Sequence, residues 1–204
     1  MAVGFASTSP ASVITNSPSL PPAGTYRTPA DVHACFNTGG GLACVSNGNH
    51  FGFLNIIRTF PSGNEDETFN SQFTGNLQIG GGPINPISMT GQARVLVFGR
   101  PNDTNTGVFN TEMLALNLSG GGGFLIRESP TLASTGQTSI TPIGGGQFQI
   151  SSFFDVFTEL SLDGGQTWTP STGSAHVELV PEPGSMLLVA AGMLALIARK
   201  HRPV

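Results

Sequence analysis

The chain has 204 residues, a formal net charge of −4 and only 10% charged residues, against roughly 25% in an average soluble domain. Its 28 Gly and 15 Pro are the two poorest helix formers, which excludes an architecture of long helices. Arg199, Lys200 and Arg202 hold three of the eight cations, so residues 1–183 carry five Arg against twelve carboxylates, a net −7; with no basic stripe for phosphate, no nucleic-acid partner is expected.

In chain order, residues 1–30 are rich in Pro, Ser and Thr and read as a leader or linker. They hold neither the basic segment nor the apolar run of a signal peptide. The small residues 2–7 look like the end of one, so the true start is expected upstream.

From residue 31 to 180, short apolar bursts are separated by Gly, Pro, Asn, Asp and Ser, the pattern of an all-β fold. The expected body is an antiparallel β-sandwich or jelly-roll-like domain. Strands are predicted over 51–58, 69–79, 93–98, 108–118, 124–127, 147–152, 155–162 and 174–180. Alternation places Leu114, Leu116 and Leu118 on one face, likewise Phe148 with Ile150, and Ala175 with Val177 and Leu179, which turns His176 and Glu178 to solvent. The run 95–98 is apolar on both faces and predicts a strand covered on two sides.

Cys35 and Cys44 are the only cysteines. Their spacing, flanked by His33 and His50, does not make a zinc knuckle, which uses two to four intervening residues. A disulfide is the expected outcome in an oxidising compartment. Glu65, Asp66 and Glu67 read as a solvated acidic loop, with calcium binding as an open alternative that needs oxygen ligands converging in space. The glycine tracts 39–41, 80–82, 120–123 and 144–146 read as turns, because none opens a helix or carries a P-loop lysine. No nucleophile elbow is present, and no enzyme activity, cofactor or metal is expected.

Ser161, Asp163, Gly165, Thr167 and Trp168 form S-x-D-x-G-x-T-W. This pattern resembles the Asp-box, a β-hairpin turn of sialidases and many other secreted β proteins. The resemblance implies a structural turn in which Asp163 accepts backbone hydrogen bonds and Gly165 takes positive φ. A propeller would need several copies, and the sequence holds one.

The tail consists of Pro181, Glu182 and Pro183, then fifteen uncharged, mostly apolar residues (184–198), then Arg199, Lys200 and Arg202. Two prolines keep the backbone extended around Glu182. The apolar run is predicted as a transmembrane helix, although at 1.5 Å per residue it is shorter than the ~20 residues of a usual span. The clustered cations would hold its end in the cytoplasm.

In this order, residues 181–204 resemble the PEP-CTERM sorting signal. That resemblance implies an exosortase as processing partner, Pro181, Glu182 and Pro183 as its recognition motif, and Arg199, Lys200 and Arg202 as the stop-transfer end. The precursor would be anchored in the inner membrane and the product delivered to the cell surface or outside. The expected function is that of an exported, non-enzymatic surface or biofilm-matrix protein, with exopolysaccharide as a partner that the resemblance implies. The alternative is a secreted carbohydrate-binding or carbohydrate-active domain.

Overall fold

In the computed structural model, which describes residues 11–28 and 32–181, period-two alternation builds thirteen antiparallel strands and no α-helix among the described residues. They are β1 (Val13–Thr15), β2 (Thr25–Arg27), β3 (Val32–Thr38), β4 (Gly41–Thr59), β5 (Glu65–Ile79), β6 (Asn85–Val97), β7 (Gly107–Gly120), β8 (Leu125–Glu128), β9 (Ser134–Gly144), β10 (Gln147–Val156), β11 (Thr158–Ser161), β12 (Thr169–Pro170) and β13 (Ala175–Val180).

The all-β expectation holds, but the sheet closes instead of splitting into the two layers of a sandwich. Strands β2, β4, β5, β6, β7, β9, β10 and β13 pair in sequence, and β13 returns to β2 through Leu179 opposite Tyr26. The result is an eight-stranded up-and-down barrel, which leaves no free edge on that ring.

The shorter strands lengthen its wall. Strand β3 follows β2 along β4, β8 pairs the far half of β7, and β11 pairs β8 and β12. A Phe36–Ser171 bridge and the Thr172 N–H donating to Cys35 O (2.8 Å) join this tier to β3. Residues 11–28, read above as a leader, therefore supply wall: β2 is a barrel strand, and β1 pairs β10 just past the end of β13.

Inward positions follow strict parity on β5, where Glu65, Glu67, Phe69, Ser71 and Phe73 are all buried. Val95 and Val97 face the same interior, whereas Phe98 is 41% exposed, so the run 95–98 is covered on one side only. The trio at 114–118 also divides. A register shift opposite Arg94 and Val95 turns Leu114 outward at 37% exposure, while Leu116 and Leu118 stay buried. One extra residue in a strand reverses every side chain beyond it.

Close strand approach depends on two glycines. A Cβ on Gly91 would lie 1.7 Å from the Asn117 carbonyl oxygen, and one on Gly136 would lie 2.1 Å from that of Phe153. Both sit in strand interiors, where glycine lets the wall bend tightly.

Cys35 and Cys44 are directly opposite on β3 and β4 and form a disulfide. The closed loop is short, so chain entropy gives it about 2–3 kcal/mol. Reduction is expected to lower the unfolding free energy obtained from urea denaturation by that amount.

Candidate functional site

The two ends of the barrel differ. The connections 38–41, 79–85, 120–125 and 161–169 gather at one end. The connections 59–65, 97–107 and 144–147, the chain segment before β2, and the exit from β13 gather at the other. The turn 161–168 belongs to the first. There the Asp163 carboxylate accepts from the N–H groups of Gln166 and Thr167 (3.0 and 2.9 Å) and from the Thr167 and Ser161 hydroxyls (2.6 and 2.7 Å). The Thr167 hydroxyl first, then its N–H, hold the Asp163 carboxyl down to about 2. Gly165 has φ +92° and its carbonyl accepts from Trp168 Nε1 (3.1 Å). The Arg127 guanidinium lies 4.0 Å over the indole ring.

The second end is strapped. Residues 16–24 cross it with Leu20 buried, held by Arg58 Nε donating to Leu20 O and Arg100 Nη2 donating to Pro18 O (2.9 Å). Arg100 is fully buried and also donates to Asp103 O (2.7 Å), Asn105 O (3.2 Å) and the Glu65 carboxylate. Such pairing is what a buried charge requires.

Behind the strap, the acidic triplet is not a solvated loop. Glu65 and Glu67 turn into the barrel, and only Asp66 turns out, to Arg94 (Nε–Oδ1 2.9 Å, Nη2–Oδ2 2.6 Å). Three carboxylates pointing to two faces do not converge on calcium, and no group of three or more His, Cys, Asp or Glu among the described residues could hold a metal. Burial, and next the Glu65 carboxylate, push Glu67 up to about 8. It is therefore a neutral acid at neutral pH.

Sequence reading missed both residues because charge usually marks an outward position. The signal that would have found them is parity with Phe69 and Phe73. His33 and His50, weighed above as zinc ligands, are also inside. Burial pushes each down to about 4, with His33 contributing second at His50, and His50 Nε2 lies 2.6 Å from Ser71 Oγ. His176 does face outward, its Nδ1 2.8 Å from Asp155 Oδ1.

The interior encloses a cavity of about 50 Å³, lined by apolar residues from around the barrel together with His33, His50, Glu67, Thr111, Thr138 and Thr158. The body ends beside the strap: Leu179 is fully buried, Val180 pairs with Thr25, and Pro181 is the last described residue.

At this exit the chain matches a known signal. Residues 179–202 match the PEP-CTERM protein-sorting motif. No curated protein and no solved structure matches the chain. The PEP-CTERM match thus begins two residues inside the last barrel strand, so signal and fold share Leu179 and Val180. A PEP-CTERM signal implies an exported protein, anchored in the membrane before an exosortase-type enzyme processes it. Glu182, Pro183, the run 184–198, Arg199, Lys200 and Arg202 lie outside the described residues. No helix among the described residues is long and apolar enough to cross a membrane.

Proposed function

We infer that this is an exported, non-enzymatic protein of the cell surface or extracellular matrix, in which a β-barrel is the delivered cargo and residues 181–204 are the removable address. The observation that carries the reading is the junction between the two. The barrel wall is complete at Val180, which pairs with Thr25 of β2 and closes the ring, so cutting beyond Pro181 removes no barrel strand. The Cys35–Cys44 disulfide suits an oxidising destination.

The carbohydrate reading finds little support in the aromatic residues. Platforms for sugars are exposed Trp or Tyr faces, but Tyr26 is buried and the Trp168 ring is covered by Arg127. The likeness of 161–168 to the Asp-box is a likeness of turn chemistry and assigns no ligand.

Expression of the full gene in hosts with and without an exosortase tests the sorting step. The expected product in the exosortase host is lighter by the residues that follow the Pro-Glu-Pro motif and has left the membrane fraction. Identical mass and location in both hosts would sink the proposal.

A further inference from the structure

We propose that the barrel lumen is a binding site for an uncharged amphiphile, an aliphatic chain with one hydroxyl or carbonyl head, entered at the end that residues 16–24 cover. Three polar atoms carry this. Glu67 Oε1, Thr111 Oγ1 and Thr158 Oγ1 are buried without a hydrogen-bond partner, and their residues line one cavity. Buried polar groups in folded proteins are nearly always satisfied, by protein, water or ligand, because an unmet one is costly. The rest of the lining is largely apolar, including Phe69, Phe73, Met113, Phe154 and Val177, which suits a hydrocarbon body.

The head must be neutral. A protonated Glu67 and two hydroxyls can both donate and accept, but none supplies a charge for a carboxylate or an ammonium. The nearby cations are engaged: Arg100 with Glu65 and the carbonyls of Pro18, Asp103 and Asn105, and Arg58 with Leu20 O and Glu65 Oε1 (3.6 Å). His33 and His50 share the lining, but burial pushes both down to about 4 and they lie against Thr28 Oγ1 and Ser71 Oγ, so neither offers a charge at neutral pH.

At about 50 Å³ the cavity is smaller than pockets that enclose a drug-sized ligand, roughly 300 Å³ or more. Leu20 and Pro21 of the strap form part of its lining, so lifting the strap would open the cavity at that end. Residues 16–24 are joined to the barrel by side chains donating to strap carbonyls at Pro18 and Leu20, so they can lift without unpairing the barrel strands.

The test is photolabelling of the full chain with a ten-carbon primary alcohol bearing a diazirine, followed by peptide mapping. Mapping separates lumen labels from any on the apolar tail. Lumen peptides of β5 and β7 are expected to be labelled, with protection by 1-decanol and none by decanoate. Thr111→Val, which keeps the side-chain shape, should reduce the labelling about fivefold, as for loss of one hydrogen bond. Leu20→Ala should increase it. Labels absent from the lumen in both the wild type and folded Leu20→Ala would overturn the proposal and leave the cavity to ordered water. Equal protection by decanoate would overturn the neutral-head assignment. Neither result bears on the sorting signal.

Discussion

Replacing Arg100 by Met is expected to lower the unfolding free energy at pH 7 by about 3–5 kcal/mol, the range for breaking one side of a buried ion pair. Arg100 has no exposed surface and ties four groups together: the Glu65 carboxylate and the carbonyls of Pro18, Asp103 and Asn105. Burial already raises Glu65, and Arg100 is the main influence that lowers it again. Without the guanidinium, Glu65 keeps only Arg58, 3.6 Å away. The double variant Arg100→Met, Glu65→Leu should recover most of the loss, since replacing a buried pair by apolar residues is often neutral. Urea denaturation of the three proteins decides the matter. A double variant no more stable than Arg100→Met would show that the carbonyl contacts, not the ion pair, hold this end.

Three buried groups, Glu67, His33 and His50, should together give a stability maximum near pH 6.5 with a decline on both sides. Glu67 titrates at about 8 in the fold against 4.5 when free, so its contribution is complete below 4.5 and is lost as the pH rises through 8. Near pH 7 the unfolded chain has released this proton and the fold retains it, and stability falls by about 1.4 kcal/mol per pH unit on this account.

The opposite limb comes from His33 and His50, at about 4 in the fold against 6.5 when free. Their contribution is complete above 6.5 and is lost as the pH drops through 4. Together they outweigh Glu67 between 4.5 and 6.5, because two protons oppose one. The charged neighbours of Glu67 are Glu65, Asp66, Arg58 and Arg100, and its effect on Tyr26 is to raise that group further. Glu67→Gln cannot ionise, so it should flatten the alkaline limb and exceed the wild type in stability at pH 8. Urea titrations from pH 4 to 9 measure both limbs, and an alkaline limb unchanged in Glu67→Gln would assign it to another group.

The parts of the molecule legible in the sequence are those whose chemistry is local. Pro181, Glu182 and Pro183 with the apolar run and basic end form a linear signal that requires no fold to be read. Period-two alternation identified β structure, and at Ala175, Val177 and Leu179 it also identified the buried face correctly. Cys35 and Cys44 were paired from their spacing and redox logic. At Leu114, Leu116 and Leu118 the same alternation failed, because a bulge opposite Arg94 is a property of two strands and leaves no mark on one. At Glu65, Asp66 and Glu67 charge was read as exposure, while parity with Phe69 and Phe73 pointed inward.

By itself, then, the sequence determined an acidic β body followed by a cationic tail, and the address that the tail encodes. Only the tertiary structure decided that the sheet closes. A sandwich and a barrel ask the same alternation of every strand, and they differ here in one long-range pairing, Leu179 of β13 with Tyr26 of β2. That pairing brings a supposed leader into the wall and places the strap over the lumen. It also makes Glu65, Glu67, His33 and His50 interior groups, because the protonation of a side chain follows from what surrounds it in space and not from its neighbours along the chain.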